Sequence, residues 1–140
     1  MLTPESDKKL FLLDAFALIY RAYFAFAKNP RVNSKGQNTS AAFGFTNVLI
    51  DIINKEKPSH IAVVFDPPGG ATNRNVDFAD YKAHREEMPE DIRSMIEPIK
   101  RVIEAFRIPM YVVEGYEADD LIGTLAKKAE KEGFVTYMMT

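Results

Sequence analysis

The sequence predicts a doubly wound α/β fold: a mainly parallel sheet covered by helices on both faces. Two observations carry this. Four short apolar runs do not alternate with polar residues, and segments of helical periodicity lie between them. A strand buried on both faces reads as a near-continuous hydrophobic run. Strands that alternate with helices pair in parallel through right-handed crossovers. The chain has 140 residues, 46% hydrophobic and 11% aromatic, which suffices for one domain with its own core and disfavours disorder.

The elements follow in order. Leu10–Leu13 is the first run, and it leads into a segment where Phe16, Tyr20, Tyr23, Phe24 and Phe26 have helical spacing and are expected mostly in the core. Residues 28–38 (KNPRVNSKGQN) are polar and turn-rich. Thr39-Ser40 then offers a hydroxyl cap to a helix carrying Ala41, Ala42, Phe45, Val48, Leu49, Ile52 and Ile53. Ile61–Phe65 is the second run, and His60 before it is read as structural. Pro67-Pro68-Gly69-Gly70 opens a mixed polar and aromatic stretch that breaks the alternation. Pro89 suits a first helical turn ahead of Ile92, Met95, Ile96, Ile99, Ile103 and Phe106, and Pro98 within that pattern predicts a kink. Met110–Val113 is the third run. Ala118, Leu121, Ile122, Leu125 and Ala129 mark a last helix that Gly133 ends. Phe134–Met139 is the fourth run, with Met138 and Met139 expected in the core. The division is a tail over residues 1–8 and one domain over 9–140, with a substrate loop at 67–88. Because Thr140 follows a strand with no closing turn, the domain reads as cut off inside its own ligand-binding edge.

Composition narrows the function. Eighteen basic and twenty acidic residues give a net charge of −2, so an anionic partner must be held locally or through cations. The absence of cysteine excludes disulfides, zinc-thiolate sites and thiol catalysis, and fits a reducing compartment. No apolar stretch reaches the roughly 18 residues of a membrane span. Residues 8–27 faintly resemble a secretory leader, but Asp14 and Arg21 interrupt the block and Glu5 and Asp7 sit where positive charge belongs. The protein is therefore expected in the cytoplasm.

The acidic residues carry the chemistry. Asp14 follows the first strand, Asp66 follows the second, and Glu117, Asp119 and Asp120 open the last helix. Each alone is a routine helix cap, turn residue or partner of the helix dipole. Together they bring carboxylates from three βα junctions to one edge of a parallel sheet, where they repel unless a cation sits among them. Glu117 and Asp120 share a helical face, with Asp119 about 100° from Asp120. All-oxygen ligands without Cys or nearby His suit Mg²⁺ or Mn²⁺, and two such ions about 4 Å apart serve phosphodiester cleavage. Arg74, Lys82, His84 and Arg85 flank Phe78 and Tyr81, a basic and aromatic cluster able to hold a phosphate and stack a base.

The segments LFLLDAFALIYRAYFAF, NTSAAFGFTNVL, AVVFDPPG, DYKAHREEMPEDIR and VEGYEADDLIGTLA together resemble the 5′-nuclease domains at the N-terminus of bacterial DNA polymerases I, part of the flap-endonuclease superfamily with a PIN-like fold. The resemblance implies metal-binding roles for Asp14, Asp66, Glu117, Asp119 and Asp120, with Asp14 and Asp66 counted as catalytic. It implies that Arg21 lies near the substrate's path. It also implies that Lys82 and Arg85, on a helical arch, contact the scissile phosphate, with Arg74 and Tyr81 on the DNA. Two Mg²⁺ or Mn²⁺ ions per complete site are implied, with hydrolysis near 5′ ends or flaps of DNA and of RNA primers. A polymerase domain in the same parent chain, a nucleoid-associated cytoplasmic location and a monomer complete the expectation. Ala15 replaces the family's usual glycine, and Asn73 stands where it has a phenylalanine. The family's next acids and its helix-hairpin-helix element would lie beyond Thr140. Two other readings stand beside this one: a PIN-type ribonuclease cutting single-stranded RNA, and a non-enzymatic α/β phosphoacceptor module.

Overall fold

The structure is a computed structural model and describes residues 8–68 and 88–140. Strand β1 (Lys9–Asp14) is followed directly by helix α1 (Ala15–Ala25). Helix α2 (Ser40–Asp51) runs on through one π-helical turn, Ile52–Glu56, before strand β2 (His60–Val64). Two short helices, α3 (Glu90–Arg93) and α4 (Ile96–Ala105), precede β3 (Met110–Tyr111), α5 (Ala118–Lys131) and β4 (Val135–Met139). The strands form one sheet in the order β3-β2-β1-β4 with every pair parallel. The chain steps from β1 outward to β3 and then returns to the far side of β1, so the order reverses between β1 and β4. Ligands of open α/β sheets bind outside the carboxyl ends of the strands at such a point, and Asp14 stands there.

Alternation along the strands divides the core in two. Phe11, Leu13, Val63 and Phe65 pack with Ile19, Phe45, Leu49, Ile92 and Ile99 from α1 to α4. On the opposite face Leu12, Ala62 and Val64 pack with Ala118 and Ile122 of α5. Both faces of the central strands β1 and β2 are covered, as their continuous apolar runs predict. The edge strands β3 and β4 hold no buried residue, although their own apolar runs predict burial too. Among the described residues no helix is long and apolar enough to cross a membrane.

Several local expectations are corrected. The Thr39 hydroxyl caps nothing: it donates to the Arg31 carbonyl at 3.0 Å, while Ser40 Oγ accepts from Arg31 N at 2.9 Å. The pair closes the polar loop instead of the helix. The expected kink at Pro98 is a full break, because proline removes the hydrogen bond to the carbonyl four residues back and crowds it. That carbonyl belongs to Ser94, where α3 has stopped, and Pro98 is left in the first turn of α4, where no donor is needed. The third strand is two residues long rather than four. Val63 N and Phe65 N donate to the Pro109 and Tyr111 carbonyls, but the next donor in the ladder is Pro67, which has no N–H. Val112 and Val113 are exposed in consequence.

The aromatic residues of α1 are not its core. The buried positions are Ala15, Leu18, Ile19 and Ala22, with Phe16, Tyr20 and Tyr23 at the margin and Phe24 58% exposed. Helices α1 and α2 approach closely at Ala22 and Gly44, with the edge of the Phe26 ring beside the contact. A Cβ at Gly44 would stand 2.7 Å from Ala22 Cβ and 3.2 Å from Ala22 Cα. Met138, expected in the core, is 57% exposed. The cluster beneath α5 is built on β1 and β2, so the edge strand β4 lies at its margin. Asp91 of α3 accepts from Tyr23 Oη and from Asn38 Nδ2, both at 3.4 Å. Burial first, and the Asp91 charge second, push the Tyr23 phenol above its ordinary pKa.

Helix α5 ends in a complete left-handed cap. Gly133, at φ +88°, donates to Glu130 O, and Phe134 N reaches back to Ala129 O. Helix α4 ends the same way with Arg107 at φ +58°, Arg107 N bonding Glu104 O and Ile108 N bonding Ile103 O.

Two glycine substitutions test this packing in opposite directions. Gly44→Ala is expected to destabilise the domain by about 1–3 kcal/mol through overpacking, outweighing the roughly 1 kcal/mol that alanine gains in a helix. Gly123→Ala in α5, where an added Cβ meets nothing within 4 Å, is expected to stabilise by about 0.5–1 kcal/mol. Urea unfolding of both variants checks the pair.

Candidate metal centre

Three βα junctions supply the acidic edge. Asp14 ends β1 and is the N-cap of α1, its carboxylate accepting from Ala17 N at 3.3 Å. Asp66 lies two residues past β2, is 9% exposed, and accepts from Ala118 N, the first residue of α5, at 2.7 Å. The third junction turns through Val113–Tyr116, with Gly115 at φ +89° and Tyr116 N bonded to Val113 O. It delivers Glu117 as the N-cap residue of α5 and Asp119 and Asp120 into its first turn.

The carboxylates of Glu117, Asp119 and Asp120 each offer an oxygen within 4.8 Å of the other two. The 100° between Asp119 and Asp120 does not keep them apart, since short side chains at adjacent positions of a first turn still converge. Glu117 is buried at 6%, Asp120 is intermediate and Asp119 is exposed. Such a set, anionic and all-oxygen, is fitted in chemistry to a hard divalent cation. The capping explanation for these acids fares less well. Glu117, the N-cap residue, makes no side-chain capping bond, and the first N–H of α5 is taken by Asp66 from beyond β2.

Asp14 and Asp66 stand on adjacent strands at the same edge but are not members of the group within 4.8 Å. Arg21 is exposed on α1, and its guanidinium donates to the Thr140 carbonyl beyond β4, joining that helix to the end of the edge strand. Arg74, Tyr81, Lys82 and Arg85 lie outside the described residues, as does most of the 67–88 loop. Sequence reasoning missed Arg93 and Lys100, which line a cavity reaching Asp66. The i, i+3, i+7 spacing of Arg93, Ile96 and Lys100 was the available signal.

Comparison with known proteins places these features. Residues 9–140 match the family described as 5′-3′ exonuclease, N-terminal resolvase-like domain. The chain is 44% identical over 131 residues to DNA polymerase I of Chloroflexus aurantiacus, covering 94% of this chain and 14% of that protein. It is 40% identical over 127 residues to a 5′-3′ exonuclease of Aquifex aeolicus, covering 91% of this chain and 43% of that protein. The chain thus spans a minor part of the curated relatives it matches. Among solved structures, the T5 D15 protein co-crystallised with metal ions superposes with a TM-score of 0.67 at 16% identity, covering 94% of this chain and 48% of that one. The bacteriophage T5 D15 flap endonuclease in a pseudo-enzyme-product complex with DNA and metal ions gives 0.61 at 16% identity, with the same coverage. The fold is shared with these proteins.

Asp66→Ala is expected to lower stability by about 1–3 kcal/mol, by stripping a buried N–H of its acceptor and a helix of its cap. Asp66→Asn keeps an acceptor oxygen at that place and is expected to lose less than half as much. Thermal unfolding of the two variants side by side separates the hydrogen bond from the charge.

Proposed function

The chain belongs to the 5′-3′ exonuclease N-terminal, resolvase-like domain family, and from that we propose that it is the metal-dependent 5′ nuclease portion of a DNA polymerase I. It hydrolyses phosphodiesters near 5′ ends or flaps of DNA and of RNA primers. The observation that carries the reading is the convergence of Glu117, Asp119 and Asp120 within 4.8 Å at the sheet edge where Asp14 and Asp66 also stand.

In this reading Glu117, Asp119 and Asp120 hold Mg²⁺ or Mn²⁺, two ions serving the complete site together with Asp14 and Asp66. Bound there, divalent ions lower the pKa of water and neutralise the charge that develops on the scissile phosphate. The protein's own part is positional. Asp66, fixed by the Ala118 N–H, keeps the first turn of α5 beside β2. That bond holds the carboxylates at one distance from the strand ends and removes the freedom a loop would have. The substrate's phosphates are held by cations, since a net charge of −2 supplies no general attraction. Arg21 on α1 is one such cation, and Lys82 and Arg85 are the others, contacting the scissile phosphate with Arg74 and Tyr81 on the adjoining DNA. The parent protein works in the cytoplasm at the nucleoid as a monomer.

Asp119→Asn with Asp120→Asn is expected to lower Mg²⁺-dependent cleavage of a 5′-flap duplex by about 100-fold or more, corresponding to roughly 3 kcal/mol of transition-state stabilisation. Undiminished cleavage by that double variant defeats the site assignment. Plain single-stranded RNA cut faster than the flap duplex points instead to a ribonuclease.

A further inference from the structure

A cavity of about 580 Å³ opens on the α3–α4 face of the sheet and reaches the acidic edge at Asp66. Its walls include the rings of Phe16, Phe65 and Tyr111. Phe16 and Phe65 meet edge to face at 5.7 Å, and Tyr111 is 45% exposed. Two cations line this apolar space, Arg93 from the end of α3 and Lys100 from α4. Lys100 Nζ is held 5.2 Å from the Phe65 ring centroid, with no carboxylate among the described residues at ion-pair distance. Arg93 reaches only Glu90, at 3.9 Å, and the Met88 carbonyl, at 3.4 Å.

The composition of the cavity restricts what it can take. A purely apolar ligand would leave the Lys100 ammonium, which has no ion-pair partner among the described residues, facing it unmatched, with the Arg93 guanidinium beside it held only by exposed Glu90. A bare inorganic anion would leave the aromatic walls unused. A flat aromatic body joined to a phosphate satisfies both sets of groups, by ring packing and by charge-assisted hydrogen bonds. The volume holds one such unit and not a duplex. We infer that this cavity is a nucleoside-monophosphate site beside the acidic edge, the base against Tyr111 and Phe16 and the phosphate on Lys100 and Arg93. The choice of a nucleotide as the aromatic phosphate rests on the nuclease reading. The unit has two sources, a released 5′-mononucleotide or the 5′-phosphorylated end of a strand.

Calorimetric titration of the chain in EDTA separates these, because nothing is cleaved without divalent ions. The probes are deoxyadenosine 5′-monophosphate, deoxyadenosine, inorganic phosphate, and an oligothymidylate with a 5′-phosphate or a 5′-hydroxyl. The expected result is that the monophosphate or the 5′-phosphorylated strand binds about tenfold more tightly than its unphosphorylated counterpart. Lys100→Gln and Arg93→Gln should each erase most of that difference, and Tyr111→Ala should weaken the monophosphate without changing inorganic phosphate. A preference seen only with the strand assigns the site to the substrate's end; one seen with the monophosphate assigns it to the product. Equal binding of phosphorylated and unphosphorylated probes overturns the inference, as does inorganic phosphate matching the monophosphate, or a Lys100→Gln chain that binds as before. A parent protein that carries the remaining acids, passes this test and still cuts no flap substrate in Mg²⁺ defeats the nuclease reading alone. One that cuts but shows no phosphate preference defeats the cavity assignment alone.

Discussion

The hydrogen bond from Ala118 N to the Asp66 carboxylate is the constraint on which the acidic edge depends. It joins the second strand to the last helix across 52 residues of chain, and it is buried. A helix N-terminus carries orphan N–H groups and a partial positive charge, so an anion is well placed there. What is particular here is that the anion comes from another element. Without that bond, the position of α5 against the sheet would rest mainly on the apolar packing of Ala118 and Ile122. With Asp66 as the cap, the strand end and the helix start are fixed to one another, and three carboxylates are carried into place with them.

That arrangement has an electrostatic cost. Glu117, Asp119 and Asp120 lie close enough for mutual repulsion, and Asp66 and Asp14 add charge at the same edge. Folding does not require this concentration of acid, since one cap serves one helix. Structure held against such repulsion marks a place where a cation is expected. The fold tolerates it because the neighbouring cores are complete: Leu12, Leu13, Val63 and Val64 are each 1% exposed or less.

Much of this was legible in the residues, and the failures have physical causes. The four apolar runs and the helical spacings sufficed for the sheet and its two covers, because burial on both faces leaves a compositional trace on the central strands β1 and β2. The edge strands β3 and β4 are apolar as well but hold no buried residue. The strand-end positions of Asp14 and Asp66 were likewise readable from LFLLD and IAVVFD. The short third strand was not, since its length is limited by Pro67 in the segment that follows β2. The outward turn of Phe24 was hidden for a similar reason: the close contact of Ala22 with Gly44 is a tertiary fact, and an aromatic period along one helix is silent about it. Thr39 matched a capping pattern that a competing loop carbonyl then claimed. Lys100 and Arg93 escaped notice because a lysine and an arginine on a helix look solvated until a wall of rings is found beside them.

The Ala22–Gly44 contact has a mechanical meaning as well. Two helices this close at their crossing form one packed unit. One end of that unit is Asp14, the cap of α1, and the other is the loop that Arg31, Thr39 and Ser40 close, with Arg31 lying over the rings of Phe26 and Phe43. That contact therefore ties the loop's helix to α1, whose cap is the carboxylate at the sheet's switch point.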